Sequence, residues 1–334
     1  MNTITQYMRL ILLSKLKDFF KIENSFKITL IISILFLLVF YLLSYLQIIQ
    51  SVESFNLIGE ASRWCERISD GPFREPINTF TNLGFMFVGL YILYILSNEE
   101  SFNEFSGLNK ITVLYGVAVV YLGPGSMMMH GTNTEWGGWA DNLSMVMYIV
   151  IPWLFNIYKM SDWSSDMFIK IYVSIILIYA LMRGLFGYEL GIGLDLFGVS
   201  IGLWVVSEFL YRFWSPSMRF ISGFVGFLVL MLFGIFPQEV FENFDSYWWI
   251  IFFWIPGIFA KSKPKYSRTY KWFFAGMIAY ISAWLIWLQG NLEINPNSEF
   301  CNPDSLIQAH GIWHLLTALA TILFFYHYRS EKLI

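Results

Sequence analysis

The chain has 334 residues, of which 57% are hydrophobic and only 13% charged, with 33 Phe, 19 Tyr and 14 Trp. A soluble domain of this length carries more charge, and repeated apolar runs of about 18 or more residues mark membrane helices, so the composition points to a polytopic integral membrane protein. A net charge of −3 with no block of like charges gives no footing for nucleic acid or for a strongly charged partner.

The chain opens on Arg9, Lys15, Lys17, Lys21 and Lys27, followed by an apolar stretch at 28–48. A signal peptide has a shorter apolar region and a small-residue cleavage site, so residues 1–50 read as a basic tail and an uncleaved anchor helix. Further apolar stretches lie at 77–96, 111–129, 142–158, 167–185, 192–211, 220–236, 247–260, 272–289 and 307–326, which makes ten candidate spans. No linker, low-complexity segment or repeat interrupts residues 51–334, which read as one all-α transmembrane bundle.

Short cytoplasmic loops are enriched in Lys and Arg. The N-terminal tail, the 212–219 turn, the 261–271 loop (KSKPKYSRTYK) and the 329–332 tail are the basic segments. An even number of spans with both termini in the cytoplasm satisfies all of them at once. Acidic loops such as PQEVFENFDS then face out.

Three of the four histidines fall at the ends of expected membrane helices. Hydrocarbon offers an imidazole no hydrogen bonds, so such residues are paired, buried or functional. Ser126 and His130 stand four apart, as do His310 and His314, and residues four apart share a helix face. A hydrolytic zinc site needs three protein ligands and one open position, and His-x3-His is a recurrent helical ligand pair. His130 supplies the third ligand from another helix. Asp141 is the candidate proton acceptor for the attacking water, with Glu135 next, and Ser126 the candidate donor to an oxyanion. Packing offers a plainer reading, in which the histidines are satisfied helix-end residues and Ser126 merely allows close helix approach. In the orientation above, all of these residues lie near the exoplasmic boundary.

The segment GPGSMMMHGTNTEWGGWADNLSM resembles the alkaline ceramidases, where S-x3-H precedes an aspartate, and QAHGIWHLLTA resembles their final-helix H-x3-H motif. Upstream, WCERISDGPFREPINTFTNLGF is similar to their WCE…E-x-x-NT motif. The resemblance implies a zinc amidase of the CREST membrane hydrolase superfamily that cleaves ceramide into a sphingoid base and a fatty acid. It also implies a seven-helix core, to which the anchor helix and two further spans are additions. By position His130, His310 and His314 match the zinc ligands, Asp141 the water-activating aspartate and Ser126 the oxyanion-stabilising serine.

The family also binds calcium beside its N-terminal motif, and Trp64, Glu66 and Glu75 match that motif. Oxygen ligands suit a hard cation. Here, however, Arg63 stands where the family usually places an acid and the loop between Glu66 and Glu75 is shorter, with Asp70 as the acid that could compensate. The plainer reading is two solvated loop acids, with Glu75 capping a helix. Cys65 and Cys301 fall in loops assigned outside; a non-cytosolic compartment permits a disulfide, the resemblance supports one, and two buried thiols are the alternative. Arg183, Glu189 and Asp195 are expected to form an ion pair or to meet a lipid headgroup, and YWWIIFFWIP to be an interfacial aromatic belt.

Two other functions share this chemistry. The same metal and base would hydrolyse an ester in a phospholipid or glycolipid anchor, although the WCE…EPxNT stretch favours the amidase. A zinc-containing receptor of the adiponectin-receptor type is the second, and the orientation argued above speaks against it.

Overall fold

The computed structural model describes residues 21–50, 57–58 and 60–333. Arg9, Lys15 and Lys17 of the expected basic tail lie outside them. The helices are α1 (Ser25–Tyr45), α2 (Pro76–Thr81), α3 (Leu83–Ser97), α4 (Lys110–Thr132), α5 (Glu135–Met160), α6 (Ser165–Phe186), α7 (Leu196–Arg212), α8 (Met218–Ile221), α9 (Val225–Leu232), α10 (Pro237–Glu242), α11 (Ile255–Phe259), α12 (Tyr270–Gly290) and α13 (Ala309–Arg329). Two short antiparallel pairs complete the elements, β1 (Leu57–Ile58) with β2 (Ala61–Ser62) and β3 (Tyr266–Ser267) with β4 (Lys332–Leu333).

Seven helices among the described residues are long and apolar enough to cross a membrane: Ile22–Tyr45, Pro76–Ser97, α4, α5, α6, α12 and α13. The protein is an all-α, integral, multi-pass membrane protein. Its helices cluster into two compact units. The first takes the chain up to Pro124, with His130–Asn133 and Tyr270–Arg329; the second takes Gly125–Met129, Thr134–Thr269 and Ser330–Ile334.

In the first unit α1 is built inside out relative to a helix of a soluble protein. Its buried residues are Ser25, Thr29, Ser33, Phe40 and Ser44, at steps of four and seven, while Ile31, Ile32, Leu35, Leu38 and Leu42 are exposed. Small polar residues on one stripe let this helix approach α3 closely, and the apolar remainder faces lipid. Helices α3 and α4 meet through glycines: Gly89 lies against Val120, Gly116 against Leu93 and Gly123 against Met86. The hairpin of α12 and α13 is closed the same way, with Gly290 on Ala309 near its turn and Gly276 on Phe324 further along.

In the second unit α5 packs between α6 and α7, tied by Trp139 Nε1 to the Ala180 carbonyl at 2.9 Å and by Tyr172 Oη to the Met147 carbonyl at 2.8 Å. The stretches 220–236 and 247–260, expected as spans, are shorter broken segments. Gly234, at φ 81, follows the end of the first, and the aromatic run Trp248–Trp254 winds as a 3₁₀ helix that passes into α11 at Ile255, with Pro256 in its first turn. The pair nevertheless runs the length of α7. Trp248 donates to the Ile192 carbonyl before α7 begins, Phe253 fills the space over Gly202 and Gly226, and Arg219 Nε reaches the Gly257 carbonyl at 2.9 Å. Arg183 donates to Asn142 Oδ1 at 2.9 Å and Asp195 caps α7 through the Phe197 and Gly198 amides, in place of the ion pair expected between them.

One basic residue of the 261–271 loop is not a surface charge. Arg268 is buried, with Glu208 at 2.9 Å, Glu331 at 2.9 Å and Asn156 Oδ1 at 2.5 Å, and its guanidinium lies 3.6 Å from the centre of the Tyr211 ring. Lys159 adds a second cation 3.3 Å from Glu331. Removing one partner of such a network leaves buried charge uncompensated. Arg268→Met is therefore expected to destabilise the protein by about 3–5 kcal/mol, read as a lower thermal midpoint in detergent. An unchanged midpoint would mean that water already solvates the cluster.

Candidate metal centre

Four elements of the first unit, α2, α4, α13 and the loop at 60–75, supply the histidines and their supports. His130 lies in the last turn of α4, and His310 and His314 lie in the first two turns of α13. Residues 60–75 bring Trp64, Cys65 and Glu66 alongside. Cys65 sits at φ 78, in the left-handed region that side chains rarely adopt, within a turn closed by its amide on the Ser62 carbonyl at 2.9 Å. It is joined to Cys301 by a disulfide, which ties this loop to the segment leading into α13.

The three histidines are buried, and one nitrogen from each lies within 4.8 Å of the others. Their ring centres are 4.7, 5.1 and 4.5 Å apart. The Trp64 ring closes one side, 4.9 Å from His130 and 5.1 Å from His310.

Hydrogen bonds fix which nitrogen faces inward on two of the rings. Glu75 Oε2 lies 2.9 Å from His130 Nδ1 and also accepts from Asn78 Nδ2 at 2.9 Å. Thr81 Oγ1 donates to the Ile77 carbonyl at 2.9 Å, so its lone pair accepts from His314 Nδ1 at 3.0 Å. With Nδ1 protonated on both rings, each Nε2 keeps a lone pair for a ligand. This is the outer-shell arrangement that metal-binding histidines use.

His130 Nε2 and His310 Nε2 are 3.1 Å apart. Zinc–nitrogen bonds of about 2.0–2.1 Å place two nitrogens of a tetrahedron roughly 3.3 Å apart, so a zinc ion fits this spacing. His310 Nδ1 is a buried nitrogen without a hydrogen-bond partner among the described residues. The donor set, three imidazoles, is one that binds zinc.

Glu66 is engaged elsewhere. Its Oε1 accepts from the Ile77 amide at 2.6 Å and its Oε2 from the Asn78 amide at 2.8 Å, so it closes the open N-terminal end of α2. Burial pushes its carboxyl up to about 7, with the Glu75 charge in the same direction, against the pull of the Asn78 and Ile77 amides and of His130. Arg63 stacks 4.4 Å over the Trp64 ring and reaches Glu293 at 3.4 Å.

Ser126 and Asp141 belong to the second unit. Ser126 is buried on α4, one helical turn before His130, and Asp141 is half-buried in the second turn of α5. The supports Glu75 and Thr81 were not assigned to the histidines from sequence. The available signal was that each intramembrane imidazole needs a partner for both nitrogens, and that EPINTFTN is a polar run in an otherwise apolar chain.

The protein-family model described as Ceramidase matches residues 61–332 of the chain. No curated protein matches it.

Proposed function

Because the chain belongs to the ceramidase family, we propose that it is a zinc-dependent amidase that cleaves ceramide-like N-acyl sphingoid lipids into a sphingoid base and a fatty acid. The observation that carries this reading is the convergence of His130, His310 and His314, with Glu75 and Thr81 turning two of the rings toward a common point. A zinc ion held there would polarise the substrate carbonyl and acidify water. Asp141 takes the proton of the attacking water on its carboxylate and returns it to the leaving amine. Ser126 donates its hydroxyl hydrogen bond to the developing oxyanion. Trp64 shields the histidine rings from bulk water. Both assignments for Asp141 and Ser126 rest on their positions in the sequence motif.

The direct test is product analysis after incubating purified protein with matched N-acyl and O-acyl lipids. Release of sphingoid base and fatty acid from the N-acyl lipid is expected. Cleavage of the O-acyl lipids alone would establish the esterase alternative, and cleavage of neither would favour a receptor.

For calcium the motif is drawn two ways: Glu75 Oε1 and Asn78 Oδ1 are buried without a hydrogen-bond partner among the described residues, as a cation site would need, while the other oxygens are already engaged. Both Glu66 oxygens serve α2, one Glu75 oxygen serves His130, and Arg63 adds positive charge beside Trp64. No step is assigned to calcium. A chelator selective for calcium over zinc is expected to leave turnover and thermal midpoint unchanged. A clear loss of either, reversed by added calcium, would restore the cation site.

We also propose that both termini are cytoplasmic and the histidines lie near the exoplasmic side, on the strength of Lys261, Lys263 and Lys265 in one loop and Lys271 in the first turn of α12. With the native cysteines bridged, Asn243→Cys is expected to react with an impermeant thiol reagent in intact cells and Ser262→Cys to resist it. The reverse pattern would invert the orientation and favour the receptor reading.

A further inference from the structure

Residues 291–308 join α12 to α13, and they are tied to the loop at 60–75 at several points. The Leu292 amide bonds the Arg63 carbonyl at 2.8 Å, Cys301 is bridged to Cys65, and Arg67 grips both carboxylate oxygens of Asp304 at 2.6 and 3.0 Å. Gln308 is buried and donates back to the carbonyls of Ser305 at 2.8 Å and Asn302 at 3.1 Å. Yet this braced segment displays Phe300 at 74%, Leu306 at 81% and Ile307 at 75% exposure, above every other large apolar side chain among the described residues. Single exposed apolar residues are ordinary, whereas three within one short connection mark a stretch that can meet an apolar partner.

The flanking helix identifies the partner. At 21 residues, α13 is about 31 Å long, close to the roughly 30 Å hydrocarbon thickness of a bilayer, so its first residue stands near the boundary. Leu306 and Ile307 then lie in the border between acyl chains and headgroups. Trp287 and Trp313 meet near this end of the hairpin, with ring centres 6.2 Å apart, in the place where Trp gathers at membrane interfaces. Further along α13, Leu315 and Leu319 are exposed apolar residues. His310 follows Ile307 by three residues.

We propose that Phe300, Leu306 and Ile307 form a lip seated in the leaflet at the histidine end, which engages the chains of membrane lipid and guides the lipid substrate toward His310. The seating stands on the structure alone, while the guiding role rests on the amidase reading above. Exposed apolar side chains there would lower the energy of a lipid lifted part-way out of its layer, because its chains stay in contact with hydrocarbon rather than water.

Two measurements test this on the full chain reconstituted in phosphatidylcholine vesicles. A bimane label at Leu306→Cys is expected to be quenched by lipids brominated near the headgroup end of the acyl chain; absence of quenching by any brominated lipid would overturn the seating, whatever the enzyme's activity. Leu306→Gln combined with Ile307→Gln is expected to raise KM for vesicle-embedded ceramide at least about tenfold, since each side chain forfeits burial in lipid. Turnover of a short-chain N-acyl substrate in detergent should be unchanged. Equal loss on both substrates would overturn the guiding role and leave only a structural one.

Discussion

Replacing His314 with Ala is expected to abolish metal retention and to lower kcat/KM by at least ~10³. Among the described residues the imidazole is one of three nitrogen donors at the centre, and a metal held there would supply several kcal/mol of barrier lowering, each 1.36 kcal/mol of which is about tenfold in rate. Its support should matter less. Thr81→Val keeps the size of the side chain but removes the oxygen that accepts from His314 Nδ1, and loss of such an outer partner lowers metal affinity or activity by about 10–100-fold. Metal content per chain, measured beside kcat/KM and thermal unfolding, separates the two variants. If His314→Ala kept both zinc and activity, the histidines would be packing residues.

Asp141→Asn is expected to keep the metal and lose activity by about 10²–10⁴, the range associated with a positioned proton acceptor. The amide is nearly the same shape as the carboxylate but takes no proton. Ser126→Ala should lose on the order of 10²–10³ if its hydroxyl is one oxyanion donor among several. Both variants should bind zinc as the unmodified protein does. Full activity in a zinc-loaded Asp141→Asn protein would send the search for the base elsewhere, with Glu135 next.

The grouping of the three histidines was legible in the sequence because two constraints act on them together. Four-residue spacing sets a helix face, and an imidazole within a bilayer is paired, buried or functional. The partners of those nitrogens were harder to read. Glu75 looks like a loop acid with cation-binding company, and only the fold places its carboxylate against His130 while Glu66 turns to the end of α2. Charge counting had the same blind spot at Arg268, which reads as a loop cation and is instead locked to Glu208 and Glu331.

Hydropathy located most helices but not how they end or what they touch. The anchor stretch read as 28–48 begins at Ser25, because Ser25, Thr29 and Ser33 form the packed stripe, which a search for apolar residues discounts. Residues 220–236 and 247–260 are as apolar as any span, yet Gly234 and Pro256 interrupt them and aromatic rings set how they lie on α7. Composition reports burial in lipid or protein alike. It does not report the small residues and turns that decide how long a helix runs.

The most direct test of a metal-dependent amidase is reconstitution. Purified protein would be stripped with a zinc chelator, verified as metal-free, and assayed on an N-acylsphingosine before and after one equivalent of zinc per chain. The account predicts that the stripped protein retains about a hundredth or less of the activity, that zinc restores it, and that calcium does not. Full activity in verified metal-free protein would contradict it.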